Sequence, residues 1–324
     1  MKIILLLCLL LPGLLHARGE RQAGDSSIGL SSDISFYGLR GSSSVGLIRL
    51  FEEPPQIDNF NFNVEALANQ DLMAGRLIRG EATFGVLPPN MAAKIASEGV
   101  DIRAVAVIGT GMLRLLTTDP GIRSIADLRG KTVEVAGQGA TPDFVFRHLL
   151  RFHGIDPDSD LHLGYALAPP EIAQLLIAGR ISTALLPEPF ATMASNGRPD
   201  LRTVSNIQEE WVRAGGTGNY PMTLLVVQGS FADSYPAVVR RVLEEARASI
   251  EWVRANPAEA GQLVQRHDLG LNAPIATAAI PNSNYVFIPA AEARPSLEAL
   301  FRVFLEYDPG SIGGALPGAG FYHR

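Results

Sequence analysis

The segment between residues 132 and 150 constrains the fold of this chain more than any other. Residues 132–136 have the apolar character of a short strand, and the turn 137–139 (Gly-Gln-Gly) lets the backbone approach a neighbouring group closely. Thr141 and Pro142 then suit the cap and first turn of a helix that continues to about residue 150. The sequence therefore predicts a strand, a glycine turn and a helix in succession, which is the repeating unit of α/β folds.

The start of this helix has a chemical consequence. The first amide N–H groups of a helix have no partner within the helix, and the positive end of the helix dipole lies beside them. A glycine turn that leads into such a helix predicts a corner that binds an acceptor or an anion through its backbone. An ordinary βα loop without a ligand has the same pattern, so this stretch alone leaves both interpretations open. It is not a P-loop, because no Gly-Lys-Ser/Thr follows, and it lacks the third glycine of the dinucleotide fingerprint.

The strand, turn and helix order recurs along the 324 residues, a length that suits two lobes. Strands are predicted at residues 31–38, 61–67, 81–87, 102–108, 112–117, 132–136, 161–166, 181–186, 201–204 and 221–228. Helices are predicted up to residue 52 and at residues 71–79, 91–97, 142–153, 170–178, 190–195, 236–255, 257–266, 275–280 and 291–307. Strands separated by helices of about ten residues imply a mostly parallel sheet. Two such halves and a helix-rich end predict a two-lobed α/β protein, with the glycine-rich loop 215–218 as a hinge or crossing.

Four predicted strands end in polar or glycine-rich loops. These loops are residues 40–44, 88–90, 137–143 and 187–190. In open α/β sheets, ligands bind beyond the carboxyl ends of the strands, so a cleft between two lobes would bring the four loops together. Glu188 in the last loop has two interpretations: it accepts hydrogen bonds from ligand N–H groups, or it complements the dipole of the helix that follows.

The sequence contains no recognisable catalytic or metal-binding motif. Neither a Gly-x-Ser-x-Gly elbow nor a His-Glu-x-x-His motif is present. His148 and His153 are five residues apart on one predicted helix and therefore do not share a face well. The remaining histidines of the mature chain are isolated, so we predict no catalytic residue, no metal ligand and no cofactor.

The N-terminus predicts export. Residues 1–17 contain one lysine, an apolar run and a Leu-x-Ala end, which is typical of a secretory signal peptide cleaved after Ala17. Cleavage and lipid attachment at Cys8 is the alternative. Cys8 is the only cysteine, so the mature protein is expected to have no disulfide and no thiolate metal site. No later stretch reaches the roughly 20 apolar residues of a membrane span, and the net charge of −6 disfavours nucleic acid as a partner.

Several of these motifs together resemble the ABC-transporter solute-binding proteins for nitrate, sulfonates, taurine and thiamine-precursor pyrimidines. The resemblance rests on residues 124–131 (Ser-Ile-Ala-Asp-Leu-Arg-Gly-Lys), 132–142, 186–190 (Leu-Pro-Glu-Pro-Phe), 279–284 (Ala-Ile-Pro-Asn-Ser-Asn) and 311–322. It extends from about residue 34 to residue 322, nearly the whole mature chain. The first motif alone occurs in many solute-binding families, whereas the combination is much more specific.

The resemblance implies a periplasmic-binding-protein type II fold with two crossings between its lobes. Each lobe is then a mostly parallel sheet flanked by helices, with the ligand cleft between the lobes. We expect residues 28–113 and 222–324 to form lobe 1, and residues 114–221 to form lobe 2. The implied protein is a periplasmic monomer that passes a small-molecule ligand to a permease and its ATPase.

The resemblance also indicates which residues line the ligand site. It implies the first and third βα turns (residues 41–44 and 88–90), the glycine corner (residues 137–142) and the Glu-Pro corner (residues 188–189), and we add Thr223 and Asn282 as further candidates. The expected ligand-binding residues are Gly41, Ser42, Ser43, Ser44, Pro89, Asn90, Gly137, Gln138, Gly139, Ala140, Thr141, Glu188, Thr223 and Asn282.

The sequence does not rank the possible ligands. A small polar or anionic solute is expected: a sulfonate such as taurine, a nitrate-like anion or a thiamine-precursor pyrimidine. Glu188 favours a nitrogen heterocycle, whereas the amide corners favour an anion. Two other functions stay open, namely a lyase-type biosynthetic enzyme on the same fold and a sensor that signals to a membrane kinase. The leader argues against the enzyme, since such enzymes act in the cytoplasm.

Overall fold

The structure is a computed structural model that describes residues 33–57 and 59–324. The predicted signal peptide at residues 1–17, with cleavage after Ala17 or at Cys8, lies outside the described residues. The strands are β1 (Asp33–Leu39), β2 (Asn61–Leu67), β3 (Phe84–Leu87), β4 (Ile102–Thr110), β5 (Leu113–Thr117), β6 (Thr132–Val135), β7 (His162–Gly164), β8 (Thr183–Pro187), β9 (Arg202–Asn206), β10 (Pro221–Gln228) and β11 (Tyr285–Pro289).

Thirteen helices accompany these strands in the described part of the chain. They are α1 (Ser42–Val45), α2 (Ile48–Glu52), α3 (Gln70–Ile78), α4 (Pro89–Ser97), α5 (Thr141–Phe152), α6 (Pro169–Ile177), α7 (Phe190–Gly197), α8 (Ile207–Arg213), α9 (Gly229–Ser234), α10 (Pro236–Ala255), α11 (Pro257–Arg266), α12 (Ala273–Ala279) and α13 (Ala290–Tyr307). Short 3₁₀ turns lie at Ile125–Leu128, Ile280–Asn282, Pro309–Ile312 and Ala319–Phe321.

The strands form two separate sheets. The first has the order β11-β4-β10-β3-β1-β2, and the second has the order β7-β6-β8-β5-β9. In the first sheet β1, β2, β3 and β4 run in one direction, while β10 and β11 run in the other. In the second sheet only β5 opposes the other four strands. Most strands of each sheet are therefore parallel in direction, and each sheet holds a reversed strand next to a crossing.

Burial patterns explain the places of the strands. β4 is buried along almost its whole length, as expected of a central strand that is covered by helices on both faces. Exposed and half-buried residues alternate along β2, which lies at the sheet edge and has only one covered face. The residues of β10 alternate between two apolar clusters: Leu224 and Val226 belong to one, and Leu225 and Val227 to the other.

Helices cover both faces of each sheet. One face of the first sheet packs on α3, α4 and α13, and the opposite face packs on α2, α10, α11 and α12. The second sheet packs on α5 and α8 on one side and on α6 and α7 on the other. Two sheets flanked by helices confirm the predicted fold class. The predicted lobe boundaries, at residues 113/114 and 221/222, stay a prediction.

Several elements differ from the sequence-based prediction. The sequence favours an irregular interruption between helices where β11 lies, and it predicts neither α8 nor α9. The single helix expected up to residue 52 is two short helices, because the chain turns at Gly46 and Leu47. β4 also continues through Gly109, so that the break before β5 comes at Gly111.

Candidate functional site

The two sheets adjoin where the chain passes between them. Gly111 and Met112 connect the end of β4 to the start of β5, and residues 214–220 connect α8 to β10. The two crossings are hydrogen-bonded to each other, since Gly111 N–H donates to the Tyr220 carbonyl oxygen at 3.0 Å. At this place Thr110 pairs with Pro221 in the first sheet.

The same place brings the carboxyl ends of parallel strands together. Leu113 pairs with Pro187, so that the end of β8 lies at the crossing, and Glu188 N–H donates to the Met112 carbonyl oxygen at 2.9 Å. The ends of β1 and β3 share the first-sheet edge with the end of β4, and the ends of β6 and β8 share the second-sheet edge. We call these the adjoining edges, namely residues 40–44, 88–90 and 282–284 of the first sheet and 136–141 and 188–190 of the second.

The loop after β1 carries three serines in different environments. Ser42 and Ser43 are half-buried at the start of α1, whereas Ser44 is fully buried. The Ser44 hydroxyl has no hydrogen-bond partner among the described residues. It lies against Gly38 at the end of β1, where a Cβ atom would come within 2.2 Å of Ser44 Oγ. The turn itself uses a positive φ of 94° at Gly41, a conformation that favours glycine.

The loop after β3 opens α4 with two prolines. Pro89 is buried at the first position of the helix, where the missing N–H of proline costs no hydrogen bond. Asn90 follows it, and its side-chain Oδ1 is buried without a partner within the described residues. The neighbouring end of β4 contributes another such atom, Thr110 Oγ1.

The loop after β6 has the predicted form of a strand, a glycine turn and a helix. Gly137 and Gly139 have positive φ values of 86° and 68°, which explains why both positions are glycine. Thr141 begins α5, and its Oγ1 is buried with no partner among the described residues. Two amides that were expected to face a ligand are used inside the loop. Gly139 N–H donates to Asp143 at 2.9 Å, and Ala140 N–H donates to the Gly137 carbonyl oxygen at 3.3 Å.

Asp143 is the polar centre of this corner. Its side chain is 5% exposed and accepts three hydrogen bonds, from Gly139 N–H, from Arg147 Nε at 2.8 Å and from the Tyr165 hydroxyl at 2.5 Å. Burial first, and the hydrogen bond to Asp143 second, raise the pKa of Tyr165 above its ordinary value of 10. The Tyr165 hydroxyl therefore keeps its proton and acts as a donor to the carboxylate.

The Glu188 carboxylate interacts with other residues of the protein. Its side chain is 2% exposed, its Oε2 accepts from Thr192 N–H at 3.0 Å, and its Oε1 lies 3.7 Å from Arg114 Nε. Burial raises the pKa of Glu188, while the hydrogen bonds from Thr192 and the charge of Arg114 act in the opposite direction. Of the two interpretations of Glu188, the interaction with the first turn of α7 has a hydrogen bond to support it.

Thr223 and Asn282 take different places at the first-sheet edge. Thr223 is buried in β10 next to Gly109 of β4. Asn282 is exposed, and its Nδ2 donates to Thr192 Oγ1 of α7 at 3.3 Å. Its backbone carbonyl accepts a hydrogen bond from Arg114 at 3.3 Å. Asn282, Glu188 and Arg114 line one cavity of about 240 Å³ between α7 and α12.

Comparison with known proteins gives the family. The sequence model of the NMT1-like family matches residues 90–267, which is more than half of the chain. The chain belongs to the NMT1-like family. The matched part of this NMT1-like chain includes Asn90, the glycine corner, Glu188 and Thr223. It does not include residues 41–44 or Asn282. No curated protein matches the sequence.

Solved structures of similar fold include an ABC transporter protein and two periplasmic binding proteins. One is an ABC transporter protein from Parabacteroides distasonis, with 26% identity and a TM-score of 0.77 over 91% of this chain and 99% of that chain. The periplasmic aliphatic sulphonate binding protein SsuA from Escherichia coli has 16% identity and a TM-score of 0.69 over 85% and 87%. The periplasmic nitrate-binding protein NrtA from Synechocystis PCC 6803 has 11% identity and a TM-score of 0.58 over 76% and 69%. At their identities the last two establish a shared fold, and together the matches confirm the predicted family.

The described residues of the NMT1-like chain contain neither a helix suited to cross a membrane nor a cluster of metal ligands. None of their helices combines the length and the apolar character needed to cross a membrane. They contain no group of three or more histidine, cysteine or acidic side chains placed to hold a metal ion. The histidines have other partners: His153 Nε2 lies 2.9 Å from Glu210, and His148 Nε2 lies 3.4 Å from the Ala214 carbonyl oxygen.

Sequence reasoning did not single out the charged residues that organise the site. Asp143 is the third residue of α5, a place where a carboxylate is favoured by the helix dipole, and that position was a usable signal. Tyr165 and Arg114 come from other segments of the chain, and their contacts with Asp143 and Glu188 depend on the folded sheet. No local sequence pattern predicts such contacts.

Proposed function

We propose that this NMT1-like chain is the extracytoplasmic solute-binding component of an ABC importer and has no catalytic activity. It captures a small polar solute between the adjoining edges and passes it to a membrane permease with its ATPase. The observation that carries the proposal is the likeness to the ABC transporter protein from Parabacteroides distasonis over nearly the full length of both chains. A monomer, periplasmic location after removal of the leader, and the two predicted lobes belong to this proposal.

Buried polar atoms without partners support a site at the adjoining edges. Ser44 Oγ and Asn90 Oδ1 lie on the first-sheet edge, and Thr141 Oγ1 lies on the second; none has a partner among the described residues. A buried polar group without a hydrogen bond costs roughly 1–3 kcal/mol. A solute that provides these bonds therefore gains affinity from both edges at once.

The crossings suggest how binding is coupled to closure. A solute shifts a protein between two conformations only as far as it binds one of them better. A solute that touches both edges favours the arrangement in which the edges are close together. The two crossing segments, 111–112 and 214–220, connect the sheets beside these edges and are the places where backbone rotation would separate them.

A thermal-shift screen of the mature protein tests the proposed function. The panel contains taurine and alkyl sulfonates, nitrate, bicarbonate, pyrimidines and their amine or amide derivatives. A solute at about 100 times its dissociation constant is expected to add roughly 2.7 kcal/mol to the free energy of unfolding. The bound solute is then released by denaturation and identified by mass spectrometry. Failure of every solute to raise the melting temperature, or recovery of a chemically altered solute, would contradict the proposal.

Thr141→Val tests whether the glycine corner lines the site. Valine keeps the shape of threonine but removes the buried hydroxyl that has no partner, so we expect unchanged or slightly higher stability of the free protein. The affinity for the solute found in the screen is expected to fall by about tenfold, the effect of one lost hydrogen bond. Thr183→Val is the matched control.

The Thr183 hydroxyl is buried at the far end of β8 and lies 2.8 Å from the Thr117 hydroxyl. Thr183→Val is therefore expected to lower stability by about 1 kcal/mol and leave the affinity unchanged. Calorimetric titration measures both affinities. An unchanged affinity in Thr141→Val would remove this corner from the site.

A further inference from the structure

We infer that Asp143 sets the charge preference of the solute site, so that the site favours an uncharged solute over an anion of the same shape. This inference rests on the proposed function, since it concerns the solute that the adjoining edges bind. Asp143 itself does not contact the solute in this proposal. It acts through the glycine corner and is therefore a positioning residue.

Asp143 already occupies the positive end of α5. The first turn of a helix attracts negative charge, through its dipole and through amide N–H groups that have no partner within the helix. In this chain Asp143 lies in the first turn of α5, so its carboxylate already complements the helix dipole, and it also accepts the N–H of Gly139, in the turn before the helix, at 2.9 Å. A solute at the glycine corner therefore meets a helix N-terminus whose dipole is already complemented by a carboxylate. A bound anion would also lie close to a buried carboxylate.

The arginines near the adjoining edges are committed to carboxylates in the same way. Arg147 binds Asp143 at 2.8 Å and Asp158 at 2.6 Å, so this group of three side chains carries a net negative charge. Arg114 lies 3.7 Å from Glu188. At the first-sheet edge Arg40 lies 3.0 Å from Asp268. An incoming anion would have to compete with these carboxylates for a cation.

The neutral groups at the edges point to the same class of solute. Asn90 Oδ1 is an amide oxygen that only accepts hydrogen bonds, and it is buried without a partner within the described residues. It needs a solute with an N–H or O–H group. The hydroxyls of Ser44 and Thr141 can donate or accept, so they place no demand on charge. An uncharged solute with both donors and acceptors satisfies all three groups.

Matched pairs of probes test the inference on the unaltered mature protein. Each pair has one shape and two charges: methanesulfonamide and methanesulfonate, benzenesulfonamide and benzenesulfonate, nicotinamide and nicotinate. We expect the uncharged member to raise the melting temperature more than the anion, with tighter binding in calorimetric titration at low ionic strength, where electrostatic effects are least screened. Tighter binding of the anions would overturn the inference but leave the proposed function standing. Failure of all six probes to bind would also overturn it.

Two substitutions with opposite expected effects test whether Asp143 sets the charge preference. The measured quantity is the ratio of the dissociation constants of the anion and of its uncharged partner. Asp143→Asn removes the negative charge and is expected to lower this ratio by about fivefold or more. Arg147→Gln leaves the Asp143 charge without its cation and is expected to raise the ratio. A purely structural role of Asp143 would weaken both probes equally and leave the ratio unchanged.

Asp158→Asn is the matched control. Asp158 binds the same arginine but is 63% exposed, and its removal changes the net charge by the same amount. We expect the ratio to change by less than about twofold, because an exposed charge is screened by solvent. An equal effect of Asp143→Asn and Asp158→Asn would show that only overall charge matters and would overturn the assignment. The Arg147→Gln result decides independently if Asp143→Asn does not fold.

Discussion

Two buried carboxylates, Asp143 and Glu188, follow neighbouring parallel strands but have different surroundings. Asp143 accepts three hydrogen bonds, two of them from side chains, and one of those donors is the cation Arg147. The hydrogen bonds to Glu188 come from one residue, Thr192, and its cation is 3.7 Å away. Burial is therefore less fully compensated at Glu188, and it raises the pKa of that carboxyl group above the ordinary value of 4.5.

Glu188→Gln should change how stability depends on pH. Above pH 4.5 the unfolded protein loses the Glu188 proton more readily than the folded protein does, since burial raises the folded pKa. The contribution of Glu188 to stability therefore falls as the pH rises from 4.5 through that raised pKa. Glutamine keeps an oxygen for Thr192 N–H but does not ionise. We expect the free energy of unfolding of the variant, relative to the unaltered protein, to increase from about pH 4 to about pH 7 in urea titrations.

Glu81→Gln provides a control of opposite sign. The hydrogen bond from Arg79 lowers the pKa of the exposed Glu81 carboxyl group, so its contribution to stability is present above its ordinary pKa and is lost as the pH falls. The relative stability of Glu81→Gln should therefore decrease slightly as the pH rises. Relative stabilities with the same slope in both variants would contradict the assignment for Glu188.

The sequence predicts the positions of the candidate residues better than their partners. Each of the predicted loops, at 40–44, 88–90, 137–143 and 187–190, follows a strand at an adjoining edge, because glycine, proline and serine mark the ends of strands locally. The amides of Gly139 and Ala140 were expected to face a solute and are used within the loop instead. Whether an amide is free depends on side chains that only the folded chain brings near. Solute binding by the fourteen residues stays a prediction.

At the scale of elements, long periodic segments were predicted closely and short edge strands were not. α10 places apolar residues at helical spacing over twenty residues, and its bounds agree with the prediction. β11 has only five residues at a sheet edge, four of them half-buried, and it is enclosed by helical patterns. Its strand conformation comes from pairing with β4, a contact between distant parts of the chain. Local sequence therefore contains little information about it.

The contact between α5 and α13 allows a prediction about which interaction holds these helices together. Phe304 of α13 is fully buried, and its ring centre lies 5.2 Å from that of Phe144 of α5. On the surface of the same contact, Arg151 binds Glu306 at 3.2 Å, with side chains 46% and 50% exposed. Phe304→Ala is expected to cost about 3–5 kcal/mol through lost burial and a cavity.

Glu306→Gln is the matched surface variant for this contact. Because solvent and salt screen an exposed ion pair, we expect it to cost less than about 1 kcal/mol. Urea unfolding of both variants gives the comparison. A larger loss of stability for Glu306→Gln than for Phe304→Ala would show that the helices are held by charge and not by apolar packing.

At the scale of the whole molecule, one apolar core spans both sheets. It contains Leu224 of the first sheet, Leu185 of the second, and Phe144 and Phe304 of the helices between them. The first sheet also packs on a second apolar cluster on its other face, because alternate residues of β10 point into the two clusters. The two sheets are therefore coupled through packing as well as through the crossings.

This coupling predicts a single unfolding transition, and the two tryptophans provide the probes. Trp211 of α8 is buried in the core that spans both sheets, and Trp252 of α10 packs on the cluster of the first sheet. In each of the single-tryptophan variants Trp211→Phe and Trp252→Phe, the denaturant midpoint from fluorescence should equal the midpoint from far-ultraviolet circular dichroism. If the sheets unfolded independently, the fluorescence of each variant would report only the unfolding of the sheet that its remaining tryptophan packs on. The fluorescence midpoint would then differ from the circular dichroism midpoint in at least one variant.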